Sequence, residues 1–278
     1  MKVGIVGLGL IGGSIGLKLQ TLNHIVYGLT NNKINEKKAK ERRLANFISC
    51  DKNILKECSI IILALPIKNL INPPKALIES LPKHSIITDV GSIKGPIIDV
   101  WEKLHPLFIG SHPMAGTEQK GVNAGYGELL NNAKWVITPT PRSDEKSLHI
   151  LSNLIKSMGC DLCEANPKDH DIAVSLISHL PIFLASCLID TAYNSDKELL
   201  NLSLKLASSG FADTSRVGGG NPELGLDLAK NNHTNILKSL KLFQKNISNL
   251  EKIISEKNWV LLEKKLLQSQ KNRTDFLN

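Results

Sequence analysis

A histidine follows a short apolar run at a position where it could move a proton. The run Phe108–Ser111 is apolar enough to form a buried strand, and His112 comes directly after it. Open α/β sheets bind ligands at the carboxyl ends of their strands, and imidazole titrates near neutral pH. We therefore expect His112 to act as a general base, although a lone histidine is more often structural. Ser92 and Glu118 also follow predicted strands, which favours a functional site at this edge.

A glycine-rich segment near the N-terminus has the spacing of a dinucleotide-binding turn. It fits the pattern Gly-x-Gly-x-x-Gly, follows the apolar run Lys2–Val6 and precedes a helical pattern. In that setting the first glycine permits a tight turn, the second lets the backbone approach a pyrophosphate, and the third lets helix and strand pack closely. Free N–H groups at the start of the helix favour the anion. The residues expected to contact a dinucleotide here are Gly7, Gly9, Leu10, Ile11 and Gly12.

The end of the second predicted strand bears on which nicotinamide cofactor is used. NAD sites place Asp or Glu there to bind the ribose 2′-hydroxyl, but this chain has Thr30, Asn31 and Lys33 after Leu29. A carboxylate would repel a 2′-phosphate, whereas hydroxyl, amide and ammonium groups can bind one. We therefore expect NADP as the cofactor, with NAD as the alternative. The same residues would also suit an ordinary polar turn.

The first half of the chain alternates strand-like and helical patterns. The strand-like runs are apolar or β-branched, as expected for strands that are covered on both faces: Lys2–Val6, Ile25–Leu29, Ser59–Leu65, Ser85–Val90, Phe108–Ser111 and Trp135–Thr138. The helical patterns between them include Ile11–Gln20, Lys68–Ser80 and Ser143–Met158. This alternation predicts an α/β fold, with a Rossmann-type doubly wound parallel sheet over residues 1–165.

The second half of the chain has a different hydrophobic pattern: leucine and isoleucine recur at helical spacing, and strand-like runs disappear. We expect one long apolar helix over Asp169–Tyr193, kinked at Pro181. Further helices are predicted over Lys197–Ser208, Asn221–Glu256 and Asn258–Gln268, and a glycine-rich polar stretch lies at Ser209–Asn221. Residues 166–278 should thus form an all-α helical domain. Its apolar helices exceed what one small bundle buries, so we expect a homodimer through this domain.

The composition indicates a soluble protein that acts on small molecules. The chain has 278 residues and a net charge of +8, but only five of its 34 basic residues are Arg, and the lysines are scattered. No basic run is interleaved with aromatic residues, so we expect no nucleic-acid partner. No signal peptide or membrane span is predicted, and five scattered cysteines do not resemble a disulfide framework. We expect a cytoplasmic protein without a membrane partner.

Two cysteines, Cys160 and Cys163, have the spacing of a metal-binding or redox pair. Structural zinc normally needs four ligands, and the sequence offers no second pair. A redox pair would begin a helix, whereas these residues lie in a predicted strand. We therefore expect no metal site.

Five segments together resemble the prephenate/arogenate dehydrogenase family. They are the glycine fingerprint, DVGSIK at Asp89–Lys94, GSHPMAGTE at Gly110–Glu118, SHLP at Ser178–Pro181 and DTSRVGGGNPELG at Asp213–Gly225. The match runs nearly end to end in the same order, and the HPMAGTE and DTSRVGGGNP segments are far more specific than the glycine fingerprint. Within the family, the chain looks most like the cyanobacterial arogenate dehydrogenases.

The resemblance implies an oxidation at a ring hydroxyl carbon. The family passes a hydride from a cyclohexadienyl substrate to the nicotinamide, and loss of carbon dioxide then makes the ring aromatic. His112 would accept the proton of the ring hydroxyl. Ser92 would hydrogen-bond to that hydroxyl or to His112 and so fix the geometry.

The resemblance also implies the substrate contacts. Arg216 would bind a substrate carboxylate with its planar guanidinium, and His179 would reach the substrate from the helical domain. Glu118 could pair with Arg216, Asp213 could support it, and Thr117 is assigned to the same site as its neighbour. The alternatives are an Arg216 that simply lies on the surface and a His179 that is structural.

Two positions depart from the family's pattern and leave the substrate open. Leu65 and Pro66, which we expect to contact the cofactor, stand where relatives often have Thr-Pro, so a hydroxyl is lost. Glu118 stands where arogenate-using relatives can carry a small residue, yet its carboxylate would attract the ammonium group of arogenate.

The expected function is the NADP-dependent oxidative decarboxylation of L-arogenate to L-tyrosine. The alternative is a prephenate dehydrogenase that gives 4-hydroxyphenylpyruvate with NAD or NADP. More distant alternatives are another Rossmann hydroxyacid dehydrogenase and a non-catalytic NADP sensor.

Overall fold

The computed structural model describes residues 1–117 and 119–277 and contains an eight-stranded sheet. The strands are β1 (Lys2–Val6), β2 (Ile25–Leu29), β3 (Phe47–Ser49), β4 (Ile60–Leu63), β5 (Ile86–Asp89), β6 (Phe108–Pro113), β7 (Lys134–Thr138) and β8 (Asp161–Glu164). Their order across the sheet is β3-β2-β1-β4-β5-β6-β7-β8. The chain winds outwards from β1 in both directions, which confirms the predicted doubly wound α/β fold.

The α-helices connect the strands in the first half and make up most of the second half. They are α1 (Leu10–Thr21), α2 (Lys33–Glu41), α3 (Ile67–Ile71), α4 (Lys75–Ile78), α5 (Gly95–Leu104), α6 (Glu145–Ser157), α7 (Pro167–Val174), α8 (Leu180–Tyr193), α9 (Lys197–Leu206), α10 (Ser209–Ser215), α11 (Pro222–Asn231), α12 (His233–Ser255) and α13 (Trp259–Leu277).

The central strands are buried on both faces, which explains why they read as continuous apolar runs. All four residues of β4 and all but the first residue of β1 are buried. Helices α1 and α6 cover the sheet with Ile15, Leu19 and Ile155, each fully buried in the same core as Trp135. Burying a large apolar side chain contributes about 1.5–3 kcal/mol, so this core supplies much of the stability of the sheet.

The pairing of β6 with β7 departs from the predicted all-parallel sheet. These strands are antiparallel, with His112 opposite Val136, whereas β7 and β8 are parallel. A parallel connection needs a crossover, usually a helix. The described residues between β6 and β7 form only the 3-10 turn Gly127–Leu130, so the chain returns in the opposite direction.

Prolines divide one predicted helix of the first half. The predicted helix Lys68–Ser80 is two short helices, α3 and α4, separated by Pro73 and Pro74. Proline disfavours the helical conformation at the residue before it. The structure also contains α2 and β3, which the sequence analysis did not propose.

A π turn interrupts the long apolar helix just before the proline at which a kink was predicted. Helix α7 passes into a π-helical turn, Ser175–His179, and α8 begins directly after it with Pro181 in its first turn. A π turn widens the helix by one residue and often occurs at functional sites. The irregularity therefore lies before Pro181.

Two further helical predictions need correction. The stretch Ser209–Asn221 contains α10 and a 3-10 turn, Arg216–Gly219, although it is rich in glycine. The predicted helix Asn221–Glu256 is divided at Asn232 into α11 and α12.

The helical run Pro167–Tyr193 is long and apolar enough to cross a bilayer by length and composition alone. It includes the buried polar residues His170, Asp171 and His179. By backbone contacts the chain divides into two compact units, Met1–His233 and Thr234–Asn278. The predicted domain limits, 1–165 and 166–278, stay a prediction.

Candidate active site

Two positions of the glycine fingerprint have no room for a side chain. Gly7 has a φ of +94°, and a Cβ there would lie 2.3 Å from the carbonyl oxygen of Ala64. A Cβ on Gly12 would lie 1.9 Å from the carbonyl oxygen of Gly7. A Cβ on Gly9 would meet nothing within 4 Å, so the space beside this residue is open. These are the roles expected for a tight turn, a close helix–strand approach and a ligand cradle.

The N-terminus of α1 suits the pyrophosphate of a dinucleotide. Gly9 caps the helix without a side-chain hydrogen bond, and its first turn, which includes Leu10 and Ile11, contains no acidic residue. Leu65 packs against the turn, 3.4 Å from the Cβ position of Gly7, and the exposed Pro66 begins α3. The free amides and the helix dipole favour an anion here, so the residues present fit a dinucleotide.

The residues predicted to choose the cofactor lie directly after β2. Thr30 is 7% exposed, and the Asn31 side chain accepts a hydrogen bond from the Asn35 side chain at 2.8 Å. The Nζ of Lys33 donates to the Oε2 of Glu36 at 2.9 Å. Lys33 therefore already has an anionic partner, which the sequence analysis did not foresee.

His112 lies in β6 and is joined to a second histidine. Its side chain is nearly buried, and its Nδ1 lies 2.9 Å from the Nε2 of His170. The Nδ1 of His170 lies 2.8 Å from the Oδ1 of Asp171. Both partners begin the helical half of the chain, on α7, so two distant segments meet at this point.

When both rings are neutral, these hydrogen bonds determine which nitrogen of each ring carries a proton. The carboxylate of Asp171 can only accept, so His170 donates to it from Nδ1. The Nε2 of neutral His170 is then an acceptor, and His112 donates to it from Nδ1. The Nε2 of His112 is left unprotonated, and it makes no hydrogen bond with the described residues. This arrangement prepares His112 to accept a proton.

Asp171 also connects α7 with the start of α5. Its carboxylate accepts hydrogen bonds from the backbone N–H groups of Lys94 at 2.7 Å and Gly95 at 2.8 Å. Its carbonyl oxygen accepts from the Asn232 side chain at 2.8 Å. One side chain thus caps α5 and orients His170.

A buried ion pair lies beside His112. Lys94 and Asp89 are both 0% exposed, and the Nζ of Lys94 donates to Asp89 and to the carbonyl oxygen of Ser111. Burial lowers the pKa of Lys94, while Asp89 counteracts part of that effect. Removing either partner would leave an uncompensated charge in the core, so the pair holds the ends of β5 and β6 together.

The surroundings of His112 keep it neutral. Burial lowers its pKa well below the usual 6.5, the positive charge of Lys94 lowers the pKa further, and so does repulsion from the other two histidine rings, His170 and His179, whenever they are protonated. A neutral imidazole is the form that a general base needs.

His179, in the π turn, is 0% exposed. Its Nδ1 accepts a hydrogen bond from the Asn232 side chain at 3.2 Å, so its proton lies on Nε2. Among the described residues, that Nε2 has no hydrogen bond of ordinary length and angle, although the Ser92 backbone lies near enough to raise the pKa of the ring. Burial lowers its pKa to about 4, and Asp171 and the backbone of Ser92 offset only part of the effect. His179 thus offers a buried N–H donor.

The remaining predicted substrate residues lie on more open parts of the surface. Arg216 and Asp213 are exposed, and Thr117 is half-buried. Glu118 lies outside the described residues. Ser92 is half-buried, and the hydrogen-bonded partner of His112 is His170. His170 was not among the predicted site residues, whereas His179, which was predicted, lies near enough to affect the pKa of His112.

The turn that carries Arg216 packs tightly on α8. A Cβ on Gly218 would lie 2.7 Å from the backbone of Ala185 and Ser186, whereas a Cβ on Gly219 would meet nothing within 4 Å. Gly218 thus lets the backbone of this turn touch the helix that follows His179.

Three residues of the site, His170, Asp171 and Lys94, were not predicted from the sequence. His170 and Asp171 look like ordinary polar residues at the start of a helix, and Lys94 looks like one of many lysines. The sequence feature that could have indicated His170 and Asp171 is the run Asp-His-Asp at the start of an apolar helix. Only the packing of α7 against the ends of β5 and β6 gives these residues a role.

Two family models match consecutive parts of the chain. Residues 15–164 match the nucleotide-binding domain of prephenate dehydrogenase, and residues 166–268 match its dimerization domain. The chain is 32% identical to the prephenate dehydrogenase of Bacillus subtilis over 245 residues, which are 84% of this chain and 64% of that protein. The chain therefore spans slightly less than two thirds of the length of the Bacillus protein.

Solved structures give the same result over nearly the whole chain. The arogenate dehydrogenase of Synechocystis is 38% identical, with a TM-score of 0.85 over 99% of this chain and 100% of that one. The prephenate dehydrogenase of Aquifex aeolicus, solved with hydroxyphenyl propionate and NAD+, is 27% identical, with a TM-score of 0.91 over 99% and 98% of the two chains. Together with the two family models, these similarities confirm the resemblance, and the chain belongs to the prephenate dehydrogenase family.

Proposed function

We propose that the chain is an NADP-dependent arogenate dehydrogenase, which converts L-arogenate to L-tyrosine with loss of carbon dioxide. The observation that carries the proposal is the hydrogen-bonded series Asp171–His170–His112, which, with neutral rings, leaves the Nε2 of His112 ready to accept a proton. A base of this kind is what the oxidation of an alcohol needs.

The reaction divides between the cofactor and the side chains. NADP, when bound, accepts the hydride from the hydroxyl carbon. The Nε2 of His112 takes the hydroxyl proton as the carbonyl forms, and His170 and Asp171 stabilise the resulting imidazolium. The electrons of the bond to the departing carboxylate then enter the ring, and His112 returns its proton to the phenolic oxygen.

Substrate binding is assigned to the residues that the family resemblance implies. Arg216 binds a substrate carboxylate bidentately, with Asp213 in support, and Ser92 holds the ring hydroxyl. His179 contributes its Nε2–H as a donor to a substrate oxygen. The buried, unpartnered donor supports this role, because an unsatisfied polar group costs about 1–3 kcal/mol unless a ligand pairs with it.

The choice between arogenate and prephenate depends on a few charges. The similarity to the Synechocystis arogenate dehydrogenase supports arogenate, and the similarity to the Bacillus enzyme supports prephenate equally. Thr117 and Glu118 follow the base along the chain, and a carboxylate there would attract the ammonium group of arogenate. Because of the similarity to the Bacillus enzyme, prephenate, with NAD or NADP, is the second candidate substrate.

The proposal includes a homodimer in a reducing compartment. The match to a dimerization domain supports a homodimer formed through the helical half. All five cysteines are unpaired, which supports a reducing compartment such as the cytoplasm.

The test is the steady-state reduction of NADP or NAD with arogenate or prephenate, four pairings in all. The highest kcat/KM with arogenate and NADP is expected. A preference for prephenate would reassign Glu118 and His179 as residues that select the keto acid. No turnover in any pairing would contradict the proposal and favour a sensor or another hydroxyacid substrate.

A further inference from the structure

Glu36 is a nearly buried carboxylate on α2 with three hydrogen-bond donors. Its Oε1 accepts from Lys40 Nζ at 2.7 Å, and its Oε2 accepts from Lys33 Nζ at 2.9 Å and from the backbone N–H of Cys50 at 3.2 Å. The Glu36 side chain is 11% exposed, whereas that of Lys33 is 81% exposed. The hydrogen bonds from Lys40 and Lys33 lower the pKa of Glu36 to about 2, so the carboxylate is charged at physiological pH.

The carboxylate lies beside the strand ends that receive the adenosine ribose in this fold. The backbone N–H of Thr30, directly after β2, donates to the carbonyl oxygen of Ser49 in β3 at 3.0 Å. The Oγ1 of Thr30 lies 3.4 Å from the Sγ of Cys50, whose N–H donates to Glu36. Charged groups at this edge distinguish the ribose 2′-hydroxyl of NAD from the 2′-phosphate of NADP.

Glu36 differs from the acidic residue that binds ribose in NAD enzymes. Three donors already occupy its carboxylate, and little of it reaches the surface, so at most one acceptor position is left for a 2′-hydroxyl. Its negative charge acts on a 2′-phosphate in two ways. It pairs with Lys33, the cation expected to bind that phosphate, and it repels the phosphate directly. Neither effect lowers the affinity for NAD, whose 2′-hydroxyl is uncharged.

We propose that Glu36 is a specificity-determining residue, which limits the preference for NADP by holding the Lys33 ammonium at its own carboxylate. The proposal rests on the proposed function, since it needs a dinucleotide to bind at the ends of β1 and β2. Lys33 is mostly exposed, so it is held by this ion pair and not by packing. Removing the charge of Glu36 therefore frees a cation for the 2′-phosphate.

The experiment measures the dissociation constants of NADP and NAD by calorimetry, without substrate, for the wild-type protein and for Glu36→Gln. Glutamine keeps an oxygen that can accept from the Cys50 N–H but has no charge. We expect NADP to bind about threefold to tenfold more tightly, as for the loss of one surface ion pair, while NAD changes less than about twofold. An unchanged or reduced ratio of NADP to NAD affinity would overturn the proposal.

Glu256→Gln is the matched control, because it removes one charge from another i,i+4 pair with Lys252, where both side chains are mostly exposed. This variant should leave the ratio unchanged. If Glu36→Gln does not fold, Lys33→Gln gives the decision. Because Glu36 holds the Lys33 ammonium, this variant should weaken NADP by no more than about threefold and spare NAD. Equal effects on both, or a loss of about tenfold or more for NADP alone, would overturn the proposal.

Dinucleotide binding, measured without turnover, distinguishes a failure of this proposal from a failure of the proposed function. A wild-type protein that binds both dinucleotides but oxidises neither arogenate nor prephenate would contradict the proposed function alone. A wild-type protein that binds neither dinucleotide would contradict both.

Discussion

At the scale of single residues, the candidate base depends on two neighbours that prepare its free nitrogen. His112 is neutral because it is buried and lies near the Lys94 ammonium, and its tautomer is set by His170. Asp171 sets the tautomer of His170 in turn. A substitution in this series should therefore change the rate of the chemical step and leave binding intact.

The first prediction concerns His170→Asn, which removes the ring that holds His112. We expect kcat to fall about tenfold to hundredfold, as for the loss of a residue that orients a catalytic group, with little change in KM. Steady-state kinetics with the preferred substrate measure both constants. His105→Asn is the control, because His105 is also nearly buried but bonds to the carbonyl oxygen of Pro82. It should alter stability and leave kcat unchanged, and a similar loss of kcat in both variants would mean a general structural effect.

The second prediction concerns pH. The base must be unprotonated, and the pKa of His112 lies well below the usual 6.5. Because a lowered pKa keeps the base unprotonated in more acidic solution, kcat/KM should stay level as the pH falls from 8 through 6.5. An acid limb with a midpoint at 6.5 or above would show that His112 is solvated or is not the base. The pH profile of kcat/KM, measured where the protein remains folded, decides between the two.

At the scale of elements, the turn that carries Arg216 is positioned by backbone contact and not by a side chain. Gly218 touches the backbone of Ala185 and Ser186, so the turn and α8 keep one relative position. The neighbouring Gly219 has open space at its Cβ position and offers a control of the same chemistry.

The third prediction compares Gly218→Ala with Gly219→Ala. The first should push the turn away from α8, destabilise the protein by about 1–3 kcal/mol and raise the substrate KM, because Arg216 moves with the turn. The second should change neither. Thermal unfolding and steady-state kinetics test the pair. Equal KM values in the two variants would show that the turn does not position a substrate group.

At the scale of the whole molecule, several helices present apolar side chains to solvent. In the unit Met1–His233, α9 exposes Leu199, Leu202 and Leu206 by 50%, 52% and 69%. In the unit Thr234–Asn278, α13 exposes Trp259 and Val260 by 57% and 80%. Exposed apolar surface of this extent is typical of an interface, and the match to a dimerization domain agrees.

The fourth prediction is that the protein is a dimer in solution and that Leu202→Glu weakens it. A charge at the centre of the leucine stripe on α9 would have to be buried in the interface, which is unfavourable. Size-exclusion chromatography with light scattering measures the mass at several concentrations. Asn201→Glu, on the same helix, should leave the dimer intact. A wild-type monomer at all concentrations would refute the prediction.

The sequence by itself determined those features that depend on local chemistry. Local spacing and hydrophobic period predicted the glycine fingerprint, β1, β2 and the helical character of the second half. The structure contains all of them. The resemblance carried by the longer motifs identified the family and singled out His112. Local patterns are sufficient here because a tight turn or a buried strand constrains only its own residues.

The tertiary structure alone decided which groups surround the base and how charges pair. His170 and Asp171 meet His112 only because α7 packs against the ends of β5 and β6, and their separation along the chain hides the contact. Lys94 becomes a buried ion-pair partner, and Lys33 becomes bound to Glu36, for the same reason. The behaviour of a charged side chain depends on its burial and its partners, and both are set by contacts between distant segments.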